Sequence, residues 1–454
     1  MRTSAAQVAE SYAPRMSQKA GLGGAADSAL DAAEAASPVE AVERVTRELG
    51  AALGATKVSF LIADLSGRAL VRMAHVQLST DGTGSSVPLA PNERRVLEES
   101  ATVLPFDGGP AEQAIRIQQV QVLNPNARDV ASHGRGRWLV LAPVTERGEA
   151  IGVLELTLPS RPGAEAVARI ARLAHVLAFV VIANRRHTDL YEWGQRTRPL
   201  SLSAEIQHRL LPGPQTCEAG SFTLAGWLEP SASIAGDTFD FSQGRDVLHL
   251  SLTDAMGHGV AAALTATLCV GSFRNARNAD ASLLEQVTST NRALVDHAAA
   301  YTLEDFVTGL IGRVDLRTGT AALVNAGHVP PFLVRRSRSV PLHLVVNLPL
   351  GLFGDTSYRA SRVDLQPGDR LVLVTDGMIE RNAVGVDLPA AIVETRALHP
   401  REAVRALADR VLEATGNNLD DDATVLCLDW HGGHGRDRES RHGAEPKRAS
   451  ERFA

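Results

Sequence analysis

Four short motifs in the C-terminal half of this 454-residue chain place aspartates at the ends of strand-like apolar runs or in turns. They are residues 234–237 (IAGD), 253–259 (TDAMGHG), 375–377 (TDG) and 420–424 (DDDAT). A strand end fixes a carboxylate more firmly than a mobile loop does. Carboxylates brought together repel one another and raise their own pKa, and hard divalent cations remove that penalty because they prefer oxygen ligands. The pattern therefore favours a metal site at which two ions acidify a water and polarise a phosphoryl oxygen.

Each motif taken alone is weak evidence for such a site. Asp376 followed by Gly377 is typical of an ordinary turn after a strand. Asp254 carries more weight because the Gly-His-Gly that follows is costly in ordinary structure, and glycine allows backbone dihedrals that other residues avoid. The prediction therefore depends on the four motifs occurring together.

Composition and charge exclude several other classes of protein. The formal net charge of −6 argues against nucleic-acid binding by charge alone. Cys217, Cys269 and Cys427 form no CxxC pair, which disfavours both a disulfide framework and a zinc site. The N-terminus lacks a signal-peptide pattern, and the most apolar run, residues 176–183, is shorter than the roughly 20 residues that span a bilayer. We expect a soluble cytoplasmic protein that binds neither nucleic acid nor membrane.

The chain is expected to contain two α+β domains with flanking tails. Composition and periodicity predict five segments: a disordered N-terminal segment (1–36), a small sensor domain (37–184), a helical linker (185–213), a β-rich catalytic domain (214–430) and a disordered tail (431–454), whose histidines offer a second interpretation as metal ligands. In the first domain, Ser37, Pro38 and Glu40 predict a capped helix start, and a long helix is predicted over 164–192. In the second domain, eight short apolar runs alternate with helical stretches at 260–277, 282–297 and 401–414, which indicates stacked sheets with helices outside.

One face of the long helix has two interpretations. Its apolar residues recur at helical spacing: Val167, Ile170, Leu173, Leu177, Val180 and Val181. This face either packs on its own domain or forms the seam of a parallel homodimer that carries a signal into the next domain. A second amphipathic stretch, residues 204–211, is stopped by Pro212 and marks a boundary near residue 213.

The order of elements in the first domain, together with the stretch LAPVTERGEAIGVLEL, resembles a GAF sensor domain. The motif is loose, and a PAS-like or a purely dimerising domain are alternatives. The absence of cysteine between residues 38 and 184 disfavours a thioether-linked chromophore.

The second half resembles the PPM family of metal-dependent protein phosphatases, in its SpoIIE-like branch. The resemblance covers about residues 206–430 through the pieces QHRLLP, IAGDTFDF, TDAMGHGVAAALTA, NAGHVPP, LPLGLF, LQPGDRLVLVTDGMIE and DDDATVLCLDW. It implies an α-β-β-α sandwich with two divalent cations, Mn²⁺ or Mg²⁺, at one end. It also implies that phosphoserine or phosphothreonine on a small regulatory protein, usually an anti-sigma-factor antagonist, is hydrolysed by direct attack of metal-bound water.

Carried over position by position, the resemblance implies five metal ligands. Asp254 would bridge both ions, and Ala255 would offer its backbone carbonyl to one of them. Asp376 and Asp421 would be further ligands of one ion, and Asp237 would bind the other directly or through water. The catalytic residues would be Asp254, Asp376 and Asp421.

Some features depart from the family pattern or leave alternatives open. Asp422 replaces Asp421 if the register shifts by one residue. Ala235 stands where the family often has glycine, and Thr238-Phe239 stands where an aromatic pair is usual, which puts the fit of the substrate near Asp237 in doubt.

Three further residues have weaker claims on the chemistry. His258 either orients a carboxylate or water, or begins a helix. His328, at a strand end, is interpreted as structural in preference to catalytic, and Asp369 in Pro-Gly-Asp as a turn residue.

Three hypotheses for the function follow. The first is a serine/threonine phosphatase regulated by the sensor domain. The second is a non-catalytic phosphoprotein-binding module on the same fold, which predicts a loss of ligand carboxylates that this sequence does not show. The third is a phosphatase for a non-protein phosphate ester.

Overall fold

The computed structural model describes residues 22–78, 103–106, 108–124, 137–197, 200–230, 236–301, 305–379, 386–416, 419–433, 437–438, 440, 442–445 and 447–450. These residues divide into two compact units. The N-terminal unit ends at Thr197, and the C-terminal unit comprises the chain from Arg198 together with two short pieces, 116–118 and 147–149. The boundary falls inside the predicted linker 185–213. Each unit is described by itself.

The N-terminal unit is built on one six-stranded sheet. Its elements in chain order are α1 (Leu22–Glu34), α2 (Ala41–Ala52), β1 (Lys57–Ala63), β2 (Ala69–Gln77), β3 (Val103–Pro105), α3 (Pro110–Ile117), β4 (Gln121–Leu123), β5 (Trp138–Glu146), β6 (Glu149–Leu158), α4 (Ala164–Asn184) and α5 (Leu190–Gln195). The strand order is β3-β2-β1-β6-β5-β4, and β1 pairs antiparallel with both β2 and β6. The small α+β domain is thus present, and its identification as GAF-like stays a prediction.

The N-terminal segment differs from the prediction of disorder over 1–36. Residues 22–34 form α1, and Ala29 is buried in the core of the unit. An Ala-rich segment forms a helix readily, and here it has a partner to pack against. Residues 1–21 lie outside the described residues. Helix α2 begins at Ala41, whose amide donates to the carbonyl of Ser37 over 2.9 Å, and the capping box at Ser37 stays a prediction.

The predicted long helix over 164–192 is interrupted. Helix α4 ends at Asn184, and the chain resumes helical structure only at α5. On the apolar face of α4, Ile170, Leu173, Leu177, Val180 and Val181 are all buried in the core of the N-terminal unit. This face therefore packs on its own domain, as the first of the two interpretations holds, and a homodimer seam stays a prediction.

Helix α4 is also long and apolar enough to cross a membrane, judged by length and composition alone, and within the described ranges it is the one helix of that kind. The core helix of a water-soluble protein meets the same criterion. Its buried face is accounted for by packing within the unit.

The C-terminal unit contains two more six-stranded sheets and flanking helices. Its elements in chain order are α6 (Leu202–Leu210), β7 (Thr216–Glu218), β8 (Phe222–Glu229), β9 (Asp237–Gln243), β10 (Val247–Ala255), α7 (Gly259–Asn278), α8 (Leu283–Tyr301), β11 (Val307–Asp315), β12 (Thr320–Ala326), β13 (Phe332–Arg335), β14 (Arg338–Pro341), β15 (Val346–Asn347), β16 (Ser361–Asp364), β17 (Arg370–Val374), α9 (Leu388–Glu394), α10 (Pro400–Ala414) and β18 (Ala423–Trp430).

These elements form the expected α-β-β-α sandwich. One sheet has the order β15-β12-β11-β10-β9, with β16 paired to β12, and the other has the order β14-β13-β17-β18-β8-β7. Alternate leucines of β10, β17 and β18 interdigitate between the sheets, as expected for strands whose side chains point to opposite faces in turn. Helices α7 and α8 cover the outer face of the first sheet, and α9 and α10 cover the second.

The described part of the tail 431–454 differs from the prediction of disorder. Arg438 donates to Glu218 Oε2 over 2.5 Å, and Arg448 Nη1 donates to the carbonyl of Ala219 over 2.8 Å. These arginines find the buried carboxylate of Glu218 on β7 and the carbonyl of Ala219 directly after it, a tertiary environment that composition does not reveal.

Candidate metal-binding active site

Two neighbouring strands of the first sheet bring Asp237 and Asp254 together. Strand β9 begins at Asp237, and β10 carries Asp254 one residue before its end. The strands pair antiparallel with Asp254 directly opposite Asp237. Directly opposed residues have β-carbons about 5 Å apart. Asp237 is buried and Asp254 half-buried, so this edge of the sheet holds two carboxylates beside each other.

In the second sheet, the aspartates of the other two motifs also lie at strand ends. Strand β17 ends at Val374 and is followed by Thr375 and exposed Asp376. Strand β18 is preceded by half-buried Asp421 and buried Asp422. The two strands pair antiparallel, with the amide of Thr375 donating to the carbonyl of Thr424 over 3.0 Å. The end of β17 and the start of β18 therefore meet at one edge.

Hydrogen bonds across the sandwich join these two edges. Asp237 Oδ2 accepts from the hydroxyl of Thr375 over 2.7 Å and from that of Thr424 over 2.5 Å. The side-chain amide of Gln207 donates to the carbonyl of Asp237 over 2.9 Å and to Asp422 Oδ2 over 2.5 Å. The aspartates of all four motifs therefore converge on one end of the sandwich.

The electrostatics of this end are unfavourable to the bare carboxylates. Burial, and then the charges of Asp254 and Asp422, raise the pKa of Asp237 well above its ordinary value, although the two threonine hydroxyls lower it. Burial also raises the pKa of Asp421, the charge of Asp376 raises it further, and the Asp422 amide opposes this. Like charges crowd together here, which is the arrangement that a bound cation relieves.

The donor set fits a hard divalent cation, since it consists of carboxylate and carbonyl oxygens. Across the ranges that the structure describes, no three His, Cys, Asp or Glu side chains already stand close enough together to hold an ion. The assignment of Asp237, Asp254, Ala255, Asp376 and Asp421 as ligands therefore stays a prediction, and so does the alternative of Asp422.

Glycines permit the close approach of backbone segments at this site. Gly257, in the loop between β10 and α7, has φ of +101° in the region that favours glycine. A β-carbon at Gly377 would overlap the carbonyl oxygen of Asp422. Backbone conformation explains the glycine at position 257, and close packing explains the glycine at position 377. The sequence indicates such a role for the glycines after Asp254 and Asp376.

The weaker candidates occupy supporting positions. His258 is exposed at the N-cap of α7, and its side chain makes no capping hydrogen bond. His328 bonds the Thr308 hydroxyl through Nδ1 over 2.7 Å and the Val374 carbonyl through Nε2 over 3.1 Å. Burial lowers the pKa of His328 to about 4 although the Val374 bond and Asp376 oppose this, so the ring is neutral and supports the end of β17.

Asp369 is the turn residue that the sequence predicts. Its carboxylate accepts from the backbone amide of Gln366 and from the guanidinium of Arg335 over 2.6 Å. It lies at the start of β17, at the opposite end of that strand from Asp376.

Sequence reasoning missed Gln207, Thr375 and Thr424 as parts of this end. Each lies inside a quoted motif, QHRLLP, TDG or DDDAT. A polar residue within two positions of a strand-end aspartate was the available signal for the two threonines. Gln207 gave none, because it lies 30 residues before Asp237. Ala235, whose effect on substrate fit was in doubt, lies outside the described residues.

Comparison with known proteins finds a similarity between the C-terminal half of the chain and one family. A profile of the family described as Stage II sporulation protein E (SpoIIE) matches residues 244–431. The match includes Asp254, Ala255, Asp376 and Asp421, and begins after Asp237.

Among curated relatives, the phosphoserine phosphatase RsbU of Bacillus subtilis is 23% identical over 263 residues, covering 56% of this chain and 77% of RsbU. The phosphoserine phosphatase RsbP of the same organism is 22% identical over 241 residues, covering 51% of this chain and 58% of RsbP. A solved structure of the RsbU and RsbW domains of a Mycobacterium tuberculosis protein superposes with a TM-score of 0.41 at 23% identity, covering 47% of this chain and 61% of that one. The chain thus spans three quarters of one curated relative and under two thirds of the other.

Proposed function

We propose that this chain hydrolyses phosphoserine or phosphothreonine on a regulatory protein, on the basis of the match of residues 244–431 to the SpoIIE family and of the similarity to the phosphoserine phosphatase RsbU. The proposed substrate is a phosphorylated protein of the anti-sigma-factor antagonist type, and the proposed setting is the cytoplasm. The N-terminal unit would regulate the activity as a GAF-like sensor.

One observation carries the proposal for the chemistry. Carboxylates from four separated motifs lie at one end of the sandwich, and burial together with Asp254 and Asp422 raises the pKa of Asp237. A protein gains no stability from such a cluster by itself. A function that needs the cluster is the physical reason for its presence.

The residues of this chain would divide the work between binding and support. Asp254, Asp376, Asp421 and the carbonyl of Ala255 would hold two divalent cations, Mn²⁺ or Mg²⁺, with Asp237 as a direct or water-mediated ligand. When bound, such ions supply an acidified water and a polarised phosphoryl group. The hydroxyls of Thr375 and Thr424 fix the orientation of the Asp237 carboxylate.

The assay that tests this proposal measures hydrolysis of an aryl phosphate, and of a phosphoserine peptide, by the full chain with added Mn²⁺. We expect turnover that stops with a chelator. We expect Asp254→Ala and Asp376→Ala to reduce kcat/KM by about a hundredfold or more, in the range for removing one group that stabilises the transition state, while circular dichroism stays unchanged.

Asp355→Ala is the matched control, because Asp355 is an exposed aspartate of the same unit outside the four motifs. Turnover that persists in both Asp254→Ala and Asp376→Ala would contradict the ligand assignment. Binding of a phosphoprotein without any turnover of the wild type would favour the non-catalytic module. Turnover of the aryl phosphate but of no phosphoprotein would favour a non-protein phosphate ester.

A further inference from the structure

Gln207 on helix α6 makes an unusual pair of contacts. The residue is 1% exposed, and its side-chain nitrogen donates to the carbonyl of Asp237 over 2.9 Å and to Asp422 Oδ2 over 2.5 Å. Asp237 begins β9 in one sheet, and Asp422 precedes β18 in the other. One amide group thereby joins the two sheets at the end where the aspartates converge.

The helix that carries Gln207 is itself anchored within the C-terminal unit. The Ser201 hydroxyl caps its start by accepting from the amide of Ala204 over 3.2 Å. At its end, Arg274 Nη2 donates to the carbonyl of Leu210 over 2.6 Å, and the same guanidinium pairs with Asp240 of β9 over 2.9 Å. Helix α6 is therefore held against β9 and α7, and Gln207 has a fixed position.

The two residues that accept from Gln207, Asp237 and Asp422, contact other predicted ligands or lie beside them. The Asp422 amide donates to Asp421 Oδ1 over 2.7 Å, and the Asp422 carbonyl lies against Gly377, the residue after Asp376. On the other side, Asp237 lies opposite Asp254. A shift of Asp422 or of the Asp237 backbone would therefore move the predicted ligands on both sheets.

We propose that Gln207 is a positioning residue which sets the spacing between the aspartates of the two sheets, and so the affinity of the site for divalent cations. The proposal rests on the proposed function above. We assign Gln207 a positioning role because both hydrogens of its side-chain nitrogen have acceptors, one on each side of the site. Its role parallels that of partners which orient metal ligands from outside the coordination shell.

The test compares Mn²⁺ binding to chelator-treated full-length protein, measured by isothermal titration calorimetry, in the wild type and in Gln207→Met. Methionine keeps the unbranched length of the side chain but has no N–H to donate. We expect binding about 10–100-fold weaker, the range for changes to residues that orient metal ligands. We also expect a higher Mn²⁺ concentration for half-maximal activity.

Gln286→Met is the matched control. Gln286 is 3% exposed on helix α8, and its amide donates to the carbonyl of Ala281 over 2.8 Å, outside the four motifs. A merely structural role for Gln207 predicts that both variants lower the melting temperature and leave Mn²⁺ affinity unchanged, and that result would overturn the proposal.

A second variant covers the case in which Gln207→Met fails to fold. Gln207→Asn keeps the amide on a side chain one methylene shorter, which cannot reach both acceptors, so weaker Mn²⁺ binding is again expected and unchanged binding again overturns the proposal. Wild-type protein that neither binds Mn²⁺ nor hydrolyses phosphate would overturn the proposed function together with this inference. Wild-type binding with equal binding by the Gln207 variant overturns the inference alone.

Discussion

Strands β17 and β18 run antiparallel, and buried carboxylates lie at both ends of the pair. At one end, Asp429 accepts from Arg370 over 2.7 and 2.9 Å, and two more guanidinium hydrogens reach the carbonyls of Thr395 and Leu398. At the other end, Asp422 faces Asp237 and the amide of Gln207.

This contrast separates carboxylates that stabilise the fold from carboxylates that we predict to bind a ligand. Asp369 with Arg335, and Asp240 with Arg274, follow the paired pattern. A buried charge with a guanidinium partner is compensated within the chain, whereas a buried charge among like charges needs compensation from outside it. The partner of each aspartate, more than its burial, therefore distinguishes the two roles.

The largest change in stability is expected at the paired end, by which we mean the end of the β17–β18 pair where Asp429 bonds Arg370. Arg370→Ala leaves Asp429 without its main partner, and we expect the free energy of unfolding to fall by about 3–5 kcal/mol, the range for breaking a buried ion pair. Urea denaturation followed by circular dichroism measures this. Arg317→Ala is the control, because its pair with Asp315 is exposed on both sides and is expected to contribute less than about 1 kcal/mol. A loss for Arg370→Ala no larger than for the control would remove the distinction between the two ends.

A smaller effect is expected from pH, at His431, which follows β18 at the paired end. Burial, and then the charge of Arg448, lower the pKa of His431 to about 4, although Asp429 opposes this. Between pH 6.5 and 4 the unfolded chain binds a proton that the folded chain does not, so stability is full above 6.5 and falls on acidification. The loss is at most about 3 kcal/mol, at about 1.36 kcal/mol per pKa unit, and less because the ring is only half-buried.

His431→Asn removes this titration, so its unfolding free energy should depend less on pH between 6.5 and 4 than that of the wild type. His343→Asn provides the control, since His343 is exposed in the loop before β15. Equal pH slopes for wild type and His431→Asn would show that the ring titrates normally.

The smallest expected change in stability has the opposite sign. It concerns the end of the sandwich where the aspartates converge. Asp237→Asn removes a carboxyl group whose pKa is raised by burial and by the charges of Asp254 and Asp422. We expect the melting temperature measured in chelator to rise, by less than Arg370→Ala lowers it, while activity with Mn²⁺ falls. Asp364→Asn serves as the exposed control. A lower melting temperature for Asp237→Asn in chelator would mean that Asp237 is already compensated, and the two ends would then be alike.

Much of the architecture was predictable because it depends on local periodicity. The helices predicted at 260–277, 282–297 and 401–414 correspond to α7, α8 and α10. The prediction of one long helix over 164–192 was wrong at its C-terminal end, because the apolar periodicity alone does not show where α4 ends. The disorder predicted for residues 22–34 was wrong because α1 is stabilised by packing in the N-terminal unit.

The sequence by itself determined which aspartates are candidates for metal-dependent chemistry, since aspartate beside glycine at a strand end is a local pattern with a local cause. Only the tertiary structure decided which aspartates lie beside arginine and which beside one another, because the partners of Asp429 and Asp422 are 59 and 215 residues away in the chain. The same holds for Gln207, which the fold brings to the site from a helix that precedes the whole sandwich. Charge compensation in a folded chain depends on distance in space, and no spacing along the sequence encodes that distance directly.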